Sequence, residues 1–405
     1  MQTPIKVEVN LKSKPVQAHL LKILLVILKL VPFDTNIKEN KLKMILNIII
    51  LASATKSSIN ATCLEHKGTP SGVTVRNTLK LIFTDIETVE TMLNRVLKST
   101  IKRKHLRGLQ QVNSDLIEVE YYGQPDENED EIRKGKKNKG THSFHAYATV
   151  YVYVKEQRYT LAITYVRAHD SMLDVLQRLN RYLLGYAFRP SLWLLDRGYY
   201  CVEVIKWFRR HNKGFIMPVQ LRGRKPKHKK GPTGTYKYKT WTKSGWDEYT
   251  LTNKKRTDKV TTDIAVVVTY PKGPGQYKDP KVLIYACFKV KYLRTRRILE
   301  LYKRRFAIET SHRQARQAKA KTTTRHPGLR YAMIGISFIL RNVWISLHFH
   351  ILYEKRRGPG GRRICRPKLT FGRMLKWLRH SIELIFPLIL EEEVEEPARI
   401  QFLRT

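Results

Sequence analysis

Three acidic residues stand where an acid is costly or out of place. Asp196 closes the apolar run "LWLLD" and precedes "RGYY". An apolar strand that delivers a carboxylate at its last position puts it at the edge where α/β sheets build their sites. Gly198, two residues on, permits a tight turn or close approach of a ligand. The same aspartate would serve equally as the cap of a helix starting near Tyr199. Asp115 lies in "SDLIEVEYYG", where alternation puts Asp115, Ile117 and Val119 on one face and Leu116, Glu118 and Glu120 on the other. An acid on a core-side face needs a metal or a cation to compensate it. Glu118 and Glu120 are its rivals and read as solvent-facing. Glu309 is the lone carboxylate of the basic stretch "YKRRFAIETSHRQARQAKAKT" (Tyr302–Thr322). At about 100° per residue, Tyr302, Arg305, Glu309, His312 and Arg316 share one helical face.

The plain account of Glu309 is an i,i+4 pair with Arg305, worth about 0.3–0.5 kcal/mol. The chemical account is that Glu309 holds a metal while Arg305 and Arg316 hold phosphates beside it. Three carboxylates from separate elements make a site of hard oxygen ligands, which suits Mg²⁺ or Mn²⁺. Two such ions about 3.5–4 Å apart activate the attacking oxygen and stabilise the leaving one in phosphodiester displacement.

The elements that must position these acids are legible in outline. Residues 15–107 have apolar residues at helical spacing, and "SATKSSINATCLEHKG" reads as a helix-turn-helix connection, so this part is expected to bind DNA. Gln111–Gly123 reads as a strand, and "QPDENEDEIRKGKKNKG" after it as a solvated loop. Ser143–Val166 reads as a β-hairpin, followed by a helix, the strand ending at Asp196, a second helix and the strand "GFIMPV". The stretch from about Gln220 to Lys281 is rich in Lys, Gly, Thr and aromatics and reads as a small antiparallel β insertion. "VLIYACFKV" returns to a core strand, a long helix opens near Arg294, and the remainder is helical. "KRRGPGGRRICRP" is a turn that either touches phosphate or only links.

Composition narrows the partner. The chain has 405 residues, and 77 Lys and Arg against 34 Asp and Glu give a formal net charge of +43. Such a charge opposes compaction unless a polyanion screens it, and nucleic acid is the natural one. An anionic membrane surface is the competitor. The apolar stretches His19–Phe33 and Met44–Ala54 are interrupted or too short to span a bilayer. "YAMIGISFILRNVWISLHFHIL" (Tyr331–Leu352) is long enough but carries Arg341, Asn342, His348 and His350, so it reads as a buried core helix. No signal peptide and no membrane association are expected. The four cysteines are far apart, which argues against a zinc knuckle, and Cys201 and Cys287 read as buried thiols of an intracellular protein.

The spacing Tyr302-x2-Arg305-x3-Glu309-x6-Arg316 resembles the Tyr-x2-Arg-x3-Glu-x6-Lys signature of one branch of DDE transposases from prokaryotic insertion sequences. "LDRGYY" resembles that branch's second-Asp motif and "DLIEVEYYG" its first-Asp strand. "GTHSFHAYATVYV", "RYTLAITYVRAHDS" and "VLQRL" resemble its intervening core, so the likeness runs over about residues 115–321. Two departures stand out: Arg316 replaces the signature's Lys, and "GLQQVNS" ahead of Asp115 is polar where relatives are apolar. The resemblance implies an α/β, RNase H-like catalytic core with a β-rich insertion, flanked by helical N- and C-terminal regions. The expected division is 1–107 (helical, DNA-binding), 108–219 (first part of the core), 220–281 (insertion), 282–325 (end of the core with the Glu309 helix) and 326–405 (helical). It implies Mg²⁺- or Mn²⁺-dependent cleavage of transposon ends and strand transfer into target DNA, with two ions held by Asp115, Asp196 and Glu309. Tyr302, Arg305 and Arg316 would contact the end DNA, and Trp241 or Trp246 would stack on a flipped base. The partners implied are double-stranded DNA, both terminal inverted repeats and target, and a second copy of the chain in a synaptic dimer. The location implied is the prokaryotic cytoplasm at the nucleoid. The alternatives are a catalytically inactive DNA-binding relative and a nuclease or resolvase without strand transfer.

Overall fold

A computed structural model describes residues 37–389 except 109, 124–128, 155–156, 227–229, 271–279, 307, 351–352, 356–361 and 365–368. The side chains of 103–104, 304, 306, 308–311, 350, 353–355 and 362–364 also lie outside the description. Three sequence features therefore fall wholly or mostly outside it: the apolar stretch His19–Phe33, most of the Gly/Arg turn, and the Glu309 side chain.

The chain is a mixed α/β protein built on one sheet. Four helices come first: α1 (Glu39–Thr55), α2 (Ile59–Glu65), α3 (Gly72–Ile82) and α4 (Ile86–Thr100). Ser58, Ser71 and Asp85 cap α2, α3 and α4 with side-chain oxygens that accept from the backbone of the first turn. The strands β1 (Gln111–Glu120), β2 (Arg133–Asn138), β3 (Thr141–Val154) and β4 (Gln157–Val166) follow. Then come α5 (Met172–Gly185), β5 (Leu192–Leu194), α6 (Val202–Arg210) and β6 (Gly214–Pro218). The strands β7 (Gly245–Thr252), β8 (Lys259–Thr269) and β9 (Lys281–Phe288) complete the sheet. Helices α7 (Thr295–Phe306), α8 (Ile308–Gln317), α9 (Pro327–His350) and α10 (Phe371–Glu383) close the chain, with a two-stranded ribbon of β10 (Tyr353–Lys355) and β11 (Arg362–Ile364) between the last two.

The strand order is β3-β1-β5-β6-β9-β8-β7, with β2 and β4 both paired to β3. β1, β5 and β6 are mutually parallel, β3 is antiparallel to β1, and β4 to β3. β9 joins β6 antiparallel, so the segment after β6 continues the central sheet. The run "RKGKKN", expected as loop, forms β2 against the start of β3. Its pattern has no apolar periodicity because it is mostly exposed, and an edge strand studded with lysines resists pairing with another chain.

Helices cover both faces of the sheet. Trp193 of β5 meets Phe208 of α6 edge-on at 6.0 Å on one side. On the other, Tyr331 of α9 stacks on Tyr147 of β3 at 5.3 Å, and α7 packs Ile298 and Tyr302 with Leu194, Ile216 and Tyr285. The helix α9 is apolar and long enough to cross a membrane, yet 94% of its most apolar stretch is buried within the protein. Gly335 makes this close packing possible, since a Cβ there would lie 2.3 Å from the side chain of Leu93 in α4.

The outward backbone of β4 is completed by side chains. The Asn342 carboxamide of α9 accepts from Thr160 N–H (3.0 Å) and donates to Thr160 C=O (2.7 Å). Asn94 of α4 does the same for Ile163, at 2.9 and 2.8 Å. Buried Glu90 accepts from Tyr165 N–H and the Thr164 hydroxyl, and burial pushes its carboxyl above the usual range. Helices α4 and α9 are thus bolted to β4 through groups most of which would otherwise be orphaned; the Ile163 carbonyl accepts from the Tyr331 hydroxyl as well. Cys287 is buried and Cys201 half-buried, and no disulfide forms among the described residues.

Candidate active site

The site begins with strand register. Asn113 of β1 is paired with Leu194 of β5 in a parallel ladder. Asp115 and Asp196 each lie two residues further along, so they stand level on neighbouring strands and on the same face. Asp196 comes just after β5 ends, at the carboxyl end of the strand, as expected. Its Oδ2 also sits 3.5 Å from Gly198 N–H, a weak cap on the short turn Arg197–Tyr199. Capping and site-building are therefore not exclusive at this residue.

The polar residues ahead of Asp115 are accommodated inside the sheet. Ser114 is fully buried, and its hydroxyl lies 2.9 Å from that of Tyr199, which is also fully buried. Asn113, buried as well, accepts from Gln111 at 3.4 Å. A polar stretch persists in a central strand here because its side chains find partners on both faces.

Helix α7 delivers a cation between the two acids. Arg305 Nη2 donates to Asp115 Oδ1 at 2.6 Å and lies 3.0 Å from Asp196 Oδ1. Its Nη1 donates to the Tyr302 hydroxyl at 3.0 Å, and that hydroxyl donates to the Leu195 carbonyl at 3.1 Å. Tyr302 is buried, 1% exposed, so it braces the strand end that carries Asp196. The side chains of Arg305 and Asp115 are 9% and 13% exposed and that of Asp196 is 35% exposed, so Asp196 is the acid nearest solvent. Burial pushes the Asp115 carboxyl up to about 6 despite the Arg305 guanidinium, with the Asp196 charge adding to the rise. One guanidinium does not fully offset two carboxylates in so dry a place.

His312, one of the residues on the shared helical face, meets Asp115 Oδ2 through Nδ1 at 3.5 Å. Burial, aided by Arg316, Arg341, Arg305 and Arg158, pulls its imidazole down to about 3. The contact is therefore polar and neutral, not an ion pair. Arg341 of α9 is buried and donates to Gln314 Oε1 and the Arg158 carbonyl. Burial and Arg158 pull it down to about 9. Beside Asp115, the buried polar atoms Asn113 Nδ2, Tyr151 OH and Arg305 Nε have no hydrogen-bond partner among the described residues. Register places Tyr151 opposite Asn113, next to Asp115 on the same face. Composition alone did not single out Asn113 or Tyr151; the signal available was their even spacing from Asp115 along the strand and across the ladder.

The structure thus brings Asp115, Asp196, Tyr302 and Arg305 together. Glu309 is on α8, within one turn of His312 by backbone position, but its side chain is outside the described residues. Arg316 is exposed on α8, one turn beyond His312. Trp246 is on β7 and Trp241 in the connection ahead of it, each half-buried. Trp241 packs edge-on to Tyr238 at 5.6 Å, and Trp246 packs on the cluster that holds Tyr285 and Tyr302.

By ligand type, Asp115 and Asp196 fit a divalent cation. Two hard-oxygen carboxylates converge on a single positive group, and of the unpartnered atoms beside them the Tyr151 hydroxyl is an oxygen, whereas Asn113 Nδ2 and Arg305 Nε are N–H donors. Among the described residues, no third acidic, histidine or cysteine side chain completes the set.

No family model and no curated protein matches the sequence. Among solved structures, the cryo-EM structure of a piggyBac transposase synaptic complex with hairpin DNA is similar to this chain. The TM-score is 0.46 at 10% identity, over 91% of this chain and 70% of that one.

Proposed function

We propose that the protein is a DNA transposase of the DDE kind, cleaving phosphodiester bonds at the ends of its element and joining them to target DNA. The observation that carries this reading is the pair Asp115 and Asp196, level on adjacent parallel strands and drawn to one cation from α7. The order β4-β3-β1-β5-β6, with β1, β5 and β6 parallel, supports an RNase H-like core as its frame. The net charge of +43 supports DNA as substrate.

In this reading Asp115, Asp196 and Glu309 hold Mg²⁺ or Mn²⁺, as two ions. When bound, such ions polarise the phosphate and lower the pKa of the attacking hydroxyl or water. The chain's own residues do the rest. Tyr302 fixes the Leu195 carbonyl and hence the strand end carrying Asp196. Arg305 keeps the two acids converged. Neutral His312 lies against Asp115 without adding a charge to it. Arg316, exposed on the same helix, is placed to meet a phosphate, and Trp241 and Trp246 are the candidates for stacking on a base. Two copies acting on paired ends, in the cytoplasm of a prokaryotic cell, complete the proposal.

The test is cleavage of DNA that carries the element's terminal repeats, by purified protein in Mg²⁺ or Mn²⁺. Nicking or double-strand cleavage, and joining of precut ends to a plasmid, are expected. Cleavage without joining would leave a nuclease on the same frame. Tight binding without cleavage would leave a DNA-binding relative.

A further inference from the structure

Arg305 presents a problem that the proposed activity must solve. Its guanidinium lies between the two carboxylates that would hold a divalent cation, within direct hydrogen-bonding distance of both. A divalent ion bridging the two Oδ1 atoms would stand where Arg305 Nη2 now stands, and two cations so close would repel. The guanidinium cannot simply turn aside within the protein either. Among the described residues, the other titratable or charged groups that face the site from the packed elements are His312 and Arg316 of α8, Arg341 of α9, Arg158 of β4, Tyr151 of β3 and Tyr199, and none is a carboxylate. Glu309, whose side chain lies outside the described residues, is itself a metal ligand in the proposed reading and would be engaged by the same ions. The other polar contact of Arg305 among these residues is the Tyr302 hydroxyl. A buried guanidinium that leaves two carboxylates must find another anion or remain a buried, unpaired charge. On a chain with a net charge of +43, that anion comes from outside.

We propose that Arg305 is a built-in counter-cation of the Asp115–Asp196 pair, which a divalent cation displaces, and that a phosphate of bound DNA receives the displaced guanidinium. The proposal rests on the reading that this pair binds divalent cations. Its consequence is thermodynamic coupling. Metal binds only the state in which the guanidinium has left the acids, and DNA phosphate stabilises that same state. Each ligand therefore raises the affinity for the other by one common factor. In the absence of DNA the pair is held converged but guarded, so free metal binds weakly. Once a phosphate is in place, the carboxylates become available next to the bond to be cut. Arg305 is in this sense a positioning residue that acts through the two acids.

The experiment measures Mn²⁺ binding to the full chain by the EPR signal of free Mn²⁺. It is run with and without a short random-sequence DNA duplex, on wild type, Arg305→Gln, Arg305→Lys and Asp196→Asn. Without DNA, Arg305→Gln is expected to bind Mn²⁺ about 5- to 150-fold more tightly than wild type, the usual span of such couplings. DNA should tighten wild-type binding by a similar factor, over the background that Asp196→Asn reports, and tighten Arg305→Gln much less. A residue with a merely structural role would do the opposite, because its loss would loosen the acids and weaken the metal. Should circular dichroism show that Arg305→Gln does not fold, Arg305→Lys serves instead. Its ammonium has no second arm for the Tyr302 hydroxyl, so it is held less firmly between the acids, and this variant should also bind Mn²⁺ more tightly than wild type. Wild-type binding equal to or tighter than that of the folded Arg305 variant overturns the proposal, as does equal tightening of both by DNA. Full Mn²⁺ binding by Asp196→Asn would instead overturn the underlying reading of the pair, and the proposal with it.

Discussion

Replacing Asp115 with asparagine should make the metal-free protein more stable. Asp115 is 13% exposed, and its carboxyl is pushed from 3.8 up to about 6, first by burial and further by the Asp196 charge. Each unit of such a shift corresponds to about 1.4 kcal/mol, so holding Asp115 ionised in the fold costs about 3 kcal/mol at pH 7. The sign follows from proton uptake. Below pH 4 the carboxyl is protonated in both the folded and unfolded chains and costs nothing. As pH rises towards 6 and beyond, the unfolded chain ionises freely while the folded one resists, so folding stability falls. The carboxamide of the variant keeps an oxygen where Oδ1 accepts from Arg305, and it leaves one guanidinium facing one carboxylate. The assay is chemical or thermal unfolding of wild type and Asp115→Asn in chelator from pH 4 to 8. The variant's advantage should open between about pH 4 and 7 and reach about 3 kcal/mol. Added Mg²⁺ should then stabilise wild type by mass action and leave the variant unmoved. A variant less stable than wild type at pH 7, or a gap that does not change with pH, would refute the reasoning.

Asp196→Asn and Glu309→Gln should each abolish cleavage of terminal-repeat DNA in Mg²⁺ while leaving duplex binding within a few-fold of wild type in a gel-shift assay; retained cleavage in either removes that residue from the site. Asn342→Leu should destabilise by about 2–5 kcal/mol, since it strands both the N–H and the C=O of Thr160. Asn94→Leu should cost less, about 1–3 kcal/mol, since it strands the Ile163 N–H while the Tyr331 hydroxyl still donates to the Ile163 carbonyl; a loss under about 1 kcal/mol in urea unfolding of either variant would show that water replaces the carboxamide. Ser114→Ala and Tyr199→Phe should lower stability non-additively, with a coupling of about 0.5–1.5 kcal/mol in a double-mutant cycle, because each removes the other's buried partner.

Period-two alternation was enough to put Asp115 and Ile117 on one face, and the contacts of Asp115 with α7 and α8 and of Ser114 with Tyr199 agree with it. The apolar run before Asp196 likewise told where the strand ends. What alternation cannot carry is register between strands about 80 residues apart in the chain. That Asp115 and Asp196 stand level follows from the pairing of Asn113 with Leu194, which the packing of the whole sheet decides. The helical wheel grouped Tyr302, Arg305 and His312 correctly but not what they face. A wheel gives the side of a helix and says nothing of its partner, so it did not show that the Arg305 guanidinium rests on the two acids. The segment Arg133–Asn138 read as loop for a related reason: as an exposed edge strand it owes its form to the backbone of β3, not to its own apolar pattern.

The acids and the bases of this chain answer two opposed demands. A surface that gathers DNA must be strongly positive, and the 77 Lys and Arg supply that. A site that binds divalent cations must be negative, and buried Asp115 beside the charge of Asp196 meets that need only by lowering stability. Exposed lysines cannot settle the conflict, because solvent and salt screen them from buried Asp115. A single guanidinium inserted between the acids can, since its Nη2 reaches both Oδ1 atoms while Nη1 is held by Tyr302. Tyr302 then ties that guanidinium to the strand end that carries Asp196. A lysine ammonium has no second arm for the Tyr302 hydroxyl, so it could not be fixed between the acids in the same way. The same geometry that steadies the empty pair also withholds it from metal, so the spacing of Tyr302 and Arg305, one turn apart on α7, sets both the stability of the site and the condition for loading it.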